Sequence, residues 1–234
     1  MVAVVPARGG SKGLPGKNLR IFSGYPLIAW TIRTALECDL FERVVVSTDC
    51  DSIARISRQY GAEVPFIRSD ELSGDTTGTV PVVMDVADRM SLNEEQSICL
   101  LQPTSPLRDR EDISGAAELF AREFVDSVVA VTRFKLGPKW LLQEDPGGFI
   151  DIGEYSEGDT RRQDSQDCFF PNGSIYMSRI SNLRTSGKFL NGRVAPHFMP
   201  AWKSIDIDTI EDFDMAQFAL ARFAPNRLQR MSGK

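Results

Sequence analysis

One histidine and four cysteines in 234 residues leave little for metal or thiol chemistry. Cys38, Cys50, Cys99 and Cys168 form no CxxC pair and have no histidine at ligand spacing, which argues against zinc and fits the reduced thiols of a cytoplasmic protein. The single histidine, His197, lies in the apolar run VAPHFM, where an imidazole is more often packed than catalytic. Positive charge is also in deficit: 27 Lys and Arg stand against 32 Asp and Glu, a net charge of -5 that excludes a general nucleic-acid coat. No run approaches the roughly 20 apolar residues of a membrane span. The opening MVAVVPARGG is too short in its apolar part for a secretion signal, so a cytoplasmic protein without membrane association is expected. No internal repeat is present.

What is there suits one globular domain, with 42% hydrophobic and 25% charged residues. VAVVPA (2–7), RVVVST (43–48), AEVPFI (62–67), SICLLQ (97–102) and DSVVAVTRF (126–134) read as strands. Helices are expected between them over 26–38, 51–61, 79–90 and 111–124. Such alternation predicts a mostly parallel sheet covered by helices, with ligands at the carboxyl ends of its strands. The rhythm breaks over the polar, turn-rich segment 135–170, which reads as an insertion in a domain spanning 1–225. Strands at 172–179, 194–200 and 204–208 follow, then a helix over 210–223 capped by Thr209 or Asp208. The last ten residues, with 226–234 as the tail proper, are expected to fray.

The local anomaly is PARGGSKGLPGKNLR, residues 6–20, with four cations, four glycines and no acid in an acidic chain. Glycines let backbone amides approach an anion, and Arg8, Lys12, Lys17 and Arg20 supply the opposite charge, so phosphate is the expected guest. Two common phosphate motifs fail. Aligning Gly16-Lys17 with GxxxxGK[ST] puts Ser11 at the first glycine and Asn18 at the final hydroxyl, and the glycine spacings do not match GxGxxG.

Together with LLQPTSPLR (100–108), PNGSIY (171–176) and SIDIDT (204–209), this loop closely resembles the CMP-sialic acid synthetases, the acylneuraminate cytidylyltransferases. Four motifs in the right order cover almost the whole chain. The resemblance implies a three-layer α/β/α nucleotidyltransferase fold with a mixed, mostly parallel sheet, and a homodimer to which 135–170 contributes. It further implies transfer of CMP from CTP to the anomeric hydroxyl of a nine-carbon, sialic-type (nonulosonic) 2-keto sugar acid, with Mg²⁺ required and pyrophosphate released.

Phosphoryl chemistry of this kind rests on positioning and electrostatic stabilisation. Arg8 and Lys17 match the family's triphosphate contacts; Ser11 and the amides of Gly9 and Gly10 are further donors, while Lys12 and Arg20 read equally well as structural. Asn18, Arg68 and Thr79 resemble nucleotide contacts, Thr79 in place of the usual serine; Arg68 could instead pair with Asp70 or Glu71. Asp206 and Asp208, two apart, share one face if the segment is a strand, and oxygen ligands suit Mg²⁺. Both are metal ligands by the resemblance. Gln102, Thr104 and Ser105 follow a buried strand at the edge where a sugar would be read. Lys139 and Arg162 resemble the family's carboxylate-holding cations, and Asn172 stands either at the sugar or in an Asn-Gly turn.

Phe170 departs from the pattern, standing where sialic acid enzymes commonly carry arginine. A more apolar pocket suits relatives with deoxy carbons or extra acyl groups, such as legionaminic or pseudaminic acid. A CMP-Kdo synthetase is the nearest alternative, although an arginine would be expected before LPGK where Gly13 stands. A non-catalytic nucleotide sensor would be expected to lack the acidic pair.

Overall fold

In chain order the strands are β1 (Val2–Pro6), β2 (Ile21–Phe22), β3 (Tyr25–Pro26), β4 (Arg43–Ser47), β5 (Ser97–Leu101), β6 (Ser127–Phe134), β7 (Gln143–Glu144), β8 (Ile150–Asp151), β9 (Cys168–Arg179) and β10 (Val194–Phe198). The helices are α1 (Leu27–Leu36), α2 (Asp51–Gln59), α3 (Thr79–Arg89), α4 (Arg110–Phe120), α5 (Ile180–Ser186), α6 (Ile210–Phe223) and α7 (Pro225–Ser232). The computed structural model describes residues 1–134, 143–144, 146–151 and 168–232. Six strands make the main sheet in the order β10-β6-β9-β5-β1-β4. β1 is parallel to β4 and β5, β10 is parallel to β6, and β9 runs antiparallel to both neighbours, so the sheet is mixed and mostly parallel.

Alternation along the strands sets the layers. Ala3 and Val5 of β1 face α1, α2 and α4 through Ile28, Ile32, Ile53, Ile113 and Ala116. Val2 and Val4 face α3 and α5 through Val83, Val86, Ile180 and Leu183. Helices thus cover both faces of the sheet, the expected three-layer arrangement. A third apolar cluster lies between α1 and α6 and joins Leu14, Phe22, Trp30, Ile207, Phe213 and Leu220.

Three expectations are corrected. Residues 62–67 form only two isolated bridges, Val45 to Glu63 and Thr48 to Ile67. Pro65 interrupts the ladder because it has no N–H to donate. Residues 204–208 are not a strand either; there the Ile207 amide donates to the Thr104 carbonyl at 2.9 Å. Residues 225–232 are helical rather than frayed: Pro225 opens α7, whose Met231 is buried. Proline suits that first helical position, where no N–H is required. The helix is tied down by Arg227, which donates to the carbonyls of Leu107 at 2.8 Å and Arg108 at 2.9 Å. The short helix α5, closed by Gly187 at φ 66°, was not anticipated.

Asn172 and Gly173 form a bulge inside β9 rather than a hairpin turn. The β6/β9 register shifts between Val129 and Val131, and Gly173 has φ 76°. Bulges of this kind re-aim side chains beside functional sites.

Candidate functional site

The two ends of the chain meet where the glycine loop leaves β1. Leu14 from the loop and Ile207 from the acidic segment are buried in the same cluster, which draws both segments together. The Lys17 ammonium then donates to the Ile207 carbonyl at 2.6 Å and to Asp208 Oδ1 at 2.7 Å. Gly13 is required by this approach, since a Cβ there would stand 2.5 Å from the Asp208 carbonyl oxygen. Ile207 is buried while Asp206 and Asp208 are exposed, so the alternation that aims both carboxylates outward persists without a strand.

Helix α6 is capped by Thr209, in a capping box with Asp212, and not by Asp208. Asp212 Oδ2 also accepts from the Asp208 amide at 3.1 Å, leaving the Asp208 carboxylate for Lys17. On the other side, Lys203 bridges Asp109 and Asp112, 2.9 Å from the latter, and pins the entry to the acidic segment against α4. His197 packs against α4, where a Cβ on Gly115 would come within 2.9 Å of its ring.

A cleft of about 320 Å³ opens at the carboxyl ends of β1 and β5 and is lined by Arg8, Ser11, Lys17, Asn18, Arg68, Thr79, Gln102, Thr104 and Asp208. Most of the residues read from sequence as site residues therefore share one cavity. Arg8 reaches it paired to Asp75, Nη1 to Oδ1 at 2.7 Å, and Lys12 holds the other oxygen of Asp75 at 2.5 Å. Asp75 was missed by sequence reasoning; its polar, glycine-flanked surroundings carry only a turn signal. Hydrogen bonds from Lys12 and Arg8 hold its carboxyl below the usual range.

The Gly9 amide, expected to face phosphate, instead donates to Asp49 Oδ1 at 2.8 Å, and a Cβ on Gly9 would stand 3.0 Å from Cys50 Cβ. Gly9 is there for close packing, which leaves Gly10 and Ser11 at the loop's tip. The buried Asn18 donates to the Arg8 carbonyl at 3.0 Å, and its Oδ1 has no partner among the described residues. Arg68 is buried rather than paired with Asp70 or Glu71. Its Nε donates to Ser73 Oγ at 3.1 Å, Nη2 lies 3.9 Å from Asp49, and desolvation lowers its pKa. Thr79 opens α3 at the cleft rim.

Beyond the phosphate end, Gln102 and Asp206 converge on the β9 bulge. Gln102 Oε1 and Asp206 Oδ2 lie 3.2 and 3.4 Å from where a Cβ on Gly173 would stand. Ser105 is fully buried with its hydroxyl unpartnered, behind the cleft rather than in it. The Asn172 side chain is engaged within the protein, donating to Ser204 Oγ at 2.9 Å and accepting from the Ser174 amide at 3.1 Å. It thus shapes the bulge. Lys139 and Arg162 lie outside the described residues. Phe170 is exposed and packs edge-on against Phe134 with ring centroids 5.9 Å apart.

Within the acidic pair the two carboxylates lie close enough to act on each other's charge. Asp206 is open to solvent at its tip but crowded by protein below; this desolvation raises its pKa, the Thr104 hydroxyl opposes the rise, and the charge of Asp208 adds to it. No group of three or more His, Cys, Asp or Glu suited to a metal occurs among the described residues. Two hard carboxylates with room beside them nevertheless suit Mg²⁺, which keeps waters and takes phosphate oxygens to complete its shell.

Residues 2–136 match the cytidylyltransferase family model. The chain is 37% identical over 220 residues to a CMP-N,N'-diacetyllegionaminic acid synthase of Legionella pneumophila, covering 93% of this chain and 94% of that protein. It is 35% identical over 215 residues to an N-acylneuraminate cytidylyltransferase of Streptococcus agalactiae, covering 91% of this chain but about half, 51%, of that longer protein. Among solved structures, a CMP:2-keto-3-deoxy-manno-octonic acid synthetase complexed with CTP superposes with TM-score 0.70 at 15% identity, over 94% of this chain and 98% of that one, a likeness of fold. With the family model spanning more than half of its length and a relative matched nearly end to end, the chain belongs to the cytidylyltransferase family.

Proposed function

We propose that this enzyme transfers CMP from CTP to the anomeric hydroxyl of a nonulosonic acid, with a legionaminic-type sugar as the preferred acceptor. The observation that carries this is the meeting of Lys17 with Asp208 across 191 residues, which joins the cationic glycine loop to the acidic segment at one cleft. In the reaction the sugar hydroxyl oxygen bonds to the α-phosphorus as the bond to pyrophosphate breaks, releasing pyrophosphate and the hydroxyl proton. Arg8 and Lys17 hold the triphosphate and oppose the charge that builds on its oxygens. The unpartnered Asn18 acceptor and buried Arg68 face the nucleoside side, and Gln102 faces the sugar. Asp206 and Asp208 would hold Mg²⁺, which when bound supplies Lewis-acid polarisation of the phosphate oxygens.

The legionaminic-type acceptor is favoured over sialic acid by the end-to-end similarity to a protein named for N,N'-diacetyllegionaminic acid. Gly13 speaks against the Kdo alternative, because it stands before LPGK where the resemblance to Kdo synthetases calls for arginine. The test is pyrophosphate release from CTP with sialic, legionaminic, pseudaminic and Kdo acids, with and without Mg²⁺. A strong preference for sialic acid or Kdo would overturn the acceptor, and turnover of none would overturn the function.

The protein is further proposed to work as a cytoplasmic homodimer. Phe169 of β9 and Phe198 of β10 are 45% and 58% exposed with ring centroids 4.9 Å apart, an apolar surface suited to a second copy. No helix among the described residues is long and apolar enough to cross a membrane. A monomer at micromolar concentration by light scattering would refute the dimer.

A further inference from the structure

Arg108 is 1% exposed, one of the largest side chains fully enclosed by the protein. Its guanidinium makes no ion pair among the described residues. It donates to the Ser174 carbonyl at 2.6 Å, to Thr31 Oγ1 at 2.8 Å and, at a long 3.4 Å, to the Gln102 carbonyl; Nε is buried without a partner. Burial pulls its pKa down to about 10. A buried charge served mainly by neutral acceptors is a poor stabiliser, since a well-packed apolar side chain of similar volume commonly does as well. Its acceptors explain its presence. Ser174 is the outgoing limb of the β9 bulge, Gln102 carries the amide facing the sugar, and Thr31 belongs to α1, which is packed in the core. Arg227 holds Arg108's own carbonyl at 2.9 Å, so the clamp is itself anchored.

We propose that Arg108 is a positioning residue for the acceptor sugar, fixing the separation between Gln102 and the Gly173 bulge from behind the cleft. This rests on the function proposed above. None of its hydrogen bonds goes to Arg8, Lys17 or Asn18, so its effect belongs to the sugar and not to CTP.

The test uses the full-length enzyme with Mg²⁺, CTP and the best sugar acid, and compares Arg108→Lys with the near-isosteric Thr31→Val. Arg108→Lys keeps the charge but cannot span the three acceptors, and is expected to raise KM for the sugar about tenfold, the scale of one charge-assisted hydrogen bond. Thr31→Val is expected to raise it about threefold through loss of a single anchor. In both, KM for CTP should stay within about twofold and the circular dichroism spectrum should remain native. A fall in melting temperature with both KM values unchanged, or an equal rise in both, would make Arg108 merely structural. If Arg108→Lys does not fold, Thr31→Val decides by the same split. Absence of wild-type turnover with every sugar acid would instead overturn the proposed function and this role with it.

Discussion

Asp75 occupies the place of an anion. Its two oxygens hold Arg8 and Lys12, and under the proposed function the triphosphate competes with it for Arg8. Asp75→Asn is therefore expected to lower KM for CTP severalfold while kcat changes little; an unchanged or raised KM would show that the contact does not compete. Arg8→Ala is expected to cost about 2–4 kcal/mol in transition-state stabilisation, seen as a fall in kcat, whereas a change confined to KM would make Arg8 a uniform binder. Asp208 reaches Lys17 but is itself largely exposed, so Asp208→Asn should abolish turnover with little change in the thermal melt. With Asp206 and Asp208 as the proposed Mg²⁺ ligands, adding Mg²⁺ to CTP is expected to raise the melting temperature beyond that with CTP alone in the wild type and not in Asp206→Asn, measured by scanning fluorimetry.

At the scale of elements, the acidic segment is held by what it buries. Ile207 is 0% exposed between two outward carboxylates, and Ile207→Ala should cost about 2–5 kcal/mol in a urea melt and reduce turnover with it. The outward aim of Asp206 and Asp208 was legible in the letters SIDID, because alternation is a property of extended backbone whether or not a ladder forms. The ladder itself was not legible, since it requires a neighbouring strand. The 62–67 segment fails for the opposite reason, as its sequence already carried Pro65. The Asn-Gly pair shows the same limit: left-handed backbone at Gly173 was readable, but whether it closed a hairpin or made a bulge depended on β6 and β9 pairing on both sides.

On the scale of the whole molecule, α7 closes the structure over the LLQPTSPLR loop. Ending the chain at Ala224 removes the Arg227 bonds to Leu107 and Arg108 and the burial of Met231, and is expected to destabilise the protein by about 3 kcal/mol in denaturant titration. Sequence by itself determined the alternation of strands and helices, the cationic glycine loop and the outward acidic pair, because each depends on residues close along the chain. Only the tertiary structure decided that Gly9 serves packing, that Asp75 holds Arg8, that Asn172 shapes a bulge and that Arg108 ties Thr31 to Ser174. Those roles arise between residues tens of positions apart, and their partners are chosen by strand order and by shared apolar clusters such as that of Leu14 and Ile207, which local patterns do not encode.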